Sequence, residues 1–130
     1  MTTNRATLLA LADRVEKASG PDRELDAAVC VAALGMFEEG GSVGFTGRGD
    51  MRPPPNFTAS IDAALSLVPD GWKWSLHSAD DKSKPCAYCV PNMGRLPWPE
   101  WVTDIEAATP ALALTAAALR ALAQEAPSDG

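Results

Sequence analysis

The chain has 130 residues, of which 46% are hydrophobic and 22% charged, and its 17 acidic and 11 basic residues leave a formal net charge of −6. That length suits one domain around one core, and the composition is that of a folded chain. Acids spread without a long block disfavour a nucleic-acid partner. No apolar run reaches the ~18 residues of a membrane span, and no signal-type apolar block follows Met1-Thr2-Thr3-Asn4-Arg5. Three cysteines, an odd number, fit a reducing compartment better than a disulfide framework, so a soluble cytoplasmic protein with no membrane partner is expected.

In chain order, Thr7 to Lys17 sets Leu8, Leu11, Ala12 and Val15 on one face, the spacing of a first helix. Ser19-Gly20-Pro21-Asp22-Arg23-Glu24 reads as a second helix start, with Pro21 in the first turn and Asp22 and Glu24 near the positive end of the helix dipole. Leu25 to Leu34 is apolar nearly all round, which predicts deeper burial than in the first helix, and Gly35 is a natural stop.

From residue 35 to 56 glycines accumulate and Pro53, Pro54 and Pro55 follow one another. This stretch is expected to be a long loop, with a short edge strand at Ser42 to Thr46 as its one possible regular piece. Thr58 or Ser60 then caps a third helix with an inner stripe of Ile61, Ala64, Leu65 and Val68, stopped by Pro69. Trp72, Trp74 and Leu76 alternate with Lys73, Ser75 and His77, the period of a strand with one face on a core. After a polar connection from Ser78 to Lys84, residues 85–90 supply a second, antiparallel strand, and Trp101 to Glu106 a third. Thr109-Pro110 opens a last helix to Gln124 that places Leu112, Ala116, Leu119 and Ala123 on one face and Arg120 and Gln124 on the other. The tail, residues 126–130, is expected to fray. The sum is a single α+β domain over 1–130: a small antiparallel sheet of two to four strands, layered as a sandwich with about four helices.

Three places merit a chemical reading. Cys86-Ala87-Tyr88-Cys89 has the spacing of zinc knuckles and thiol redox sites, and with Cys30 and His77 it supplies four zinc-type ligands. On a strand, however, positions three apart face opposite ways, and Cys30 belongs to a core helix, so the cysteines are read as structural and no metal or cofactor is expected. His77 is the lone histidine and no serine elbow accompanies it, so no catalytic residue is assigned. Gly47-Arg48-Gly49-Asp50-Met51-Arg52 offers backbone N–H groups and two guanidiniums without the lysine of a nucleotide-binding loop. Pro97-Trp98-Pro99-Glu100-Trp101 holds two tryptophans among prolines, residues typical of interface anchors.

Three segments, Gly20-Pro21-Asp22-Arg23-Glu24-Leu25-Asp26-Ala27-Ala28, Phe57 to Trp72, and Ala107 to Ala121, carry a family likeness. Over about half of the chain they resemble small proteins of phages and prophages akin to the phage alpha-beta-alpha sandwich domain. The resemblance implies a phage setting, the cytosol of a host cell and a layered fold, and it implies no catalytic residue. The functional expectation is a non-enzymatic binding protein that inhibits a host defence protein such as a CRISPR effector, through Arg48, Arg52, Trp98 and Trp101, with Asp80 and Asp81 as a rim. The alternatives are a sponge or enzyme for a small anionic nucleotide, and a minor virion or assembly component.

Overall fold

The computed structural model of the chain describes residues 5–45, 51–78, 85–91 and 105–125. Its elements run α1 (Arg5–Lys17), α2 (Arg23–Leu34), β1 (Phe37–Glu39), β2 (Ser42–Gly44), α3 (Ile61–Leu65), β3 (Trp72–Ser78), β4 (Pro85–Pro91), β5 (Ile105–Glu106) and α4 (Pro110–Glu125). Two antiparallel sheets result, a β1–β2 hairpin and a three-stranded sheet in the order β3-β4-β5. The molecule is thus a small α+β fold. The predicted frayed tail, most of the polar connection after β3 and the first part of the predicted third strand lie outside the described residues.

The first two helices form as their sequence requires. In α1 the buried residues are Leu8, Leu11, Ala12 and Val15, the predicted stripe. Helix α2 starts at the Asp22 cap, whose carboxylate accepts the backbone N–H groups of Glu24 at 2.9 Å and Leu25 at 3.2 Å. Pro21 therefore precedes the cap instead of standing in the first turn.

Helix α4 departs from expectation. Thr109 caps it, its hydroxyl accepting the Leu112 N–H at 3.2 Å. It is buried on every side from Ala111 to Leu119, where an amphipathic helix was predicted. The cause is position: α4 packs against α1 and α3 on one hand and against all three strands of the larger sheet on the other. Small alanine side chains let those neighbours approach closely from both directions. The deepest helix is consequently α4, while α2, with six buried residues against four in α1, is more buried than the first helix as predicted.

Helix α3 is shorter than predicted. Ser60 caps it by accepting the Ala63 N–H at 3.3 Å, and after Leu65 the chain tightens into bonds from Leu67 N–H to the Ala64 carbonyl (3.0 Å) and from Val68 N–H to the Leu65 carbonyl (3.1 Å). Such three-residue bonding aligns side chains three apart, so Ala64 and Leu67 are buried. Ile61, expected inside, is 38% exposed. Strands β3 and β4 pair antiparallel over their whole length, from Trp72 opposite Pro91 to Ser78 opposite Pro85. Trp72 and Leu76 pack on the core as the alternation predicts.

Candidate functional site

The glycine-rich stretch after α2 carries more structure than its composition suggests. Gly35 adopts a left-handed conformation (φ 69°), and the N–H groups of Gly35 and Met36 both return to the Cys30 carbonyl, which turns the chain out of the helix and into β1. Gly40 and Gly41 then both have positive φ, 60° and 86°. That is the requirement of a tight two-residue hairpin turn, and it sets Glu39 opposite Ser42 and Phe37 opposite Gly44. Past the turn, Val43 and Arg52 exchange both backbone hydrogen bonds, at 2.8 and 2.9 Å, so Arg52 closes the far side of the hairpin. The predicted long loop is therefore a hairpin with a returning segment, and the expected edge strand at Ser42 to Thr46 is β2, ending at Gly44.

This hairpin leaves apolar groups in water. Phe37 is 60% exposed, Phe45 61% and Leu34, at the end of α2, 42%. Beside Phe37 lies an open groove of about 540 Å³, floored by Ala10, Leu11, Val31 and Met36, with Arg14 on its wall. Beside Phe45 lies a smaller one of about 220 Å³, bounded by Leu34, Met36, Val43, Pro55 and Arg52. Met36 is common to both, which joins the two into one surface. Among the described residues neither the Arg14 nor the Arg52 guanidinium has a carboxylate partner. An apolar surface with unpaired guanidiniums at its border has the composition of a protein-docking patch.

The surface is held in place by a buried polar lock at the start of α2. Asp26 is 1% exposed. Its Oδ1 accepts both the backbone N–H and the hydroxyl of Thr58, each at 2.8 Å, and its Oδ2 accepts Arg23 Nη1 at 2.9 Å. Arg23 reaches on to the Asn56 side chain and, through Nη2, to the Pro54 carbonyl at 2.7 Å. The Thr58 hydroxyl also accepts the Asp22 N–H at 2.8 Å, and the Thr115 hydroxyl of α4 donates to the Phe57 carbonyl at 2.8 Å. Residues 54–58 are therefore bonded to two helices, and Arg52, two positions earlier, leaves from a fixed base. Thr58 is a ligand of this lock and not the cap of α3.

Of the predicted site residues, Arg52 is exposed on the hairpin surface. Arg48, Asp80, Asp81, Trp98 and Trp101 lie outside the described residues. Cys86 and Cys89 both fall on β4, three positions apart and hence on opposite faces, with Cys89 in the core. His77 stands opposite Cys86 in the strand register. Burial pushes the Cys89 thiol up to about 12; burial first, then the Asp26 carboxylate, push Cys30 up to about 11 against the opposing pull of Arg23. Both thiols are neutral near pH 7. Among the described residues no three metal-ligating side chains converge, and no helix is long and apolar enough to cross a membrane.

The residues that sequence reasoning missed are Phe37, Phe45 and Arg14. Their signal was present in part, since Gly40-Gly41 between Phe37 and Val43 is a hairpin pattern. Comparison with protein-family models, with curated proteins and with solved structures gives no match.

Proposed function

We propose that the chain is a non-enzymatic binding protein that docks on another protein through the hairpin surface. The observation that carries this reading is the pair of phenylalanines, Phe37 and Phe45, held in water beside two joined apolar grooves on a rigid base. Exposed aromatic rings on a fixed scaffold lose little conformational entropy on binding and supply the apolar centre of an interface, while Arg14 and Arg52 supply its charged border. The resemblance to phage proteins makes the partner a host protein in the cytosol, and inhibition of a defence effector, a CRISPR complex among them, the consequence of docking.

The test compares the tagged wild-type chain with the double variant Phe37→Asp/Phe45→Asp and with Asp62→Ser, an exposed position on α3. A partner recovered in stoichiometric amount with wild type and with Asp62→Ser, and lost with the double variant at an unchanged melting temperature, is the expected result. Arg52→Ala should weaken the same capture by about tenfold. Retention of the partner by the double variant would remove the hairpin from the reading. Plaque counts on a CRISPR-armed host then address the target: a rise with wild type but not with the double variant is expected, and no rise with either excludes that effector.

A further inference from the structure

Among the described residues the larger sheet ends on β3 with no strand along its outer edge, and the hydrogen-bonding phase of that edge follows from one bond. Ala107 N–H donates to the Pro85 carbonyl at 3.2 Å, so Pro85, Ala87 and Cys89 turn their backbone groups toward β5 and Cys86, Tyr88 and Val90 toward β3. Their partners on β3 are His77, Ser75 and Lys73. Trp74 and Leu76 therefore point their N–H and C=O groups away from β4, and among the described residues β3 has no second strand beside it. Trp72 shares that outward phase, but its N–H is bonded back to the Pro69 carbonyl at 3.2 Å. The usable edge is the stretch from Trp74 to Leu76. Trp74 sits there on the face that α4 covers and is still 45% exposed, because α4 packs chiefly over β4.

We infer that this edge pairs with the same edge of a second copy of the chain, antiparallel about a two-fold axis at Ser75. In that register Trp74 lies opposite the second copy's Leu76, and the four outward groups of Trp74 and Leu76 on each copy form four intermolecular hydrogen bonds with none left over. A shift to Trp74 opposite Trp74 would instead call on the occupied Trp72 N–H. Charge favours β3 over β1, the edge strand of the hairpin: antiparallel self-pairing of Phe37-Glu38-Glu39 sets glutamate against glutamate, whereas Lys73 is the one charged residue of β3 and meets His77. The two three-stranded sheets become one sheet of six strands, and each Trp74 ring is covered by the other copy's Leu76. This surface is separate from the hairpin, so the two proposals stand or fall independently.

The two-fold axis makes a sharp test. Opposed residues of a non-hydrogen-bonded antiparallel pair have Cα atoms about 4.5 Å apart, within the range a disulfide spans. Ser75→Cys should cross-link two chains under mild oxidation, while Lys73→Cys, four residues out of register with its own copy, should not. Sedimentation equilibrium of the whole chain should give twice the chain mass. Trp74→Lys should raise the dimer dissociation constant at least about tenfold with an unchanged circular dichroism spectrum. A single-chain mass at all concentrations would overturn the proposal, as would a dimer indifferent to Trp74→Lys that leaves Ser75→Cys uncrosslinked. Open-ended assemblies would also overturn it, pointing to head-to-tail pairing of β3 with β1.

Discussion

Helix α4 and the stretch from Leu34 to Phe45 both carry apolar side chains, and the molecule treats them in opposite ways. Every residue of α4 from Ala111 to Leu119 is enclosed, whereas the phenylalanines at 37 and 45 keep three fifths of their surface in water. The helix is small-residue-rich and is approached from two sides; the hairpin projects from the end of α2 on a glycine turn and is approached from one. Side chains of the first kind hold the chain together, and their loss leaves a cavity. Side chains of the second kind bury less of their surface and contribute correspondingly less to folding.

Substitutions sharpen that contrast in order of size. Leu112→Ala, in the middle of the enclosed stretch, should cost about 2–5 kcal/mol in urea unfolding, and a loss below about 1 kcal/mol would mean that α4 is not the centre of the core. Asp26→Ala should cost about 2–3 kcal/mol, because it strands the buried Thr58 N–H and releases Arg23. Alkaline pH comes next. The two thiols titrate from 9.0 when unfolded to about 11 and about 12 when folded, so the folded state holds their protons more tightly. The stability they contribute is complete below about pH 9 and is lost as the pH climbs through 11 and 12, and Cys89→Ala should flatten that decline. Last, Phe37→Ser and Phe45→Ser should each change the unfolding free energy by no more than about 0.5 kcal/mol. A loss of several kcal/mol from either would show that the hairpin belongs to the core and would break the comparison.

What the sequence displayed was whatever local spacing decides. The α1 stripe, the second helix start near Asp22, the Gly35 stop, the Thr109-Pro110 opening and the pairing of β3 with β4 all rest on neighbours a few residues apart. What it concealed depends on contacts from elsewhere in the chain. Periodicity assigned α4 one apolar face because it carries no information about a second layer arriving from the other side. The bond from Asp26 to Thr58 joins residues 32 apart, and nothing near Asp26 marks it as buried. Composition misled at the hairpin, where glycines that shape one tight turn were read together with Pro53 to Pro55 as a single loop. In the candidate site, Arg52 was legible as an exposed guanidinium, but its neighbours Phe37, Phe45 and Arg14 come from three segments that only folding assembles.

The clamp around Arg52 has an evolutionary corollary. On one side Val43 holds the returning chain by two backbone bonds, and on the other Arg23 grips the Pro54 carbonyl. Both attachments use only backbone atoms of the returning chain, so exchanging the Arg52 side chain leaves its seat in place, and the charge at that rim can drift over generations while the chassis beneath stays unaltered.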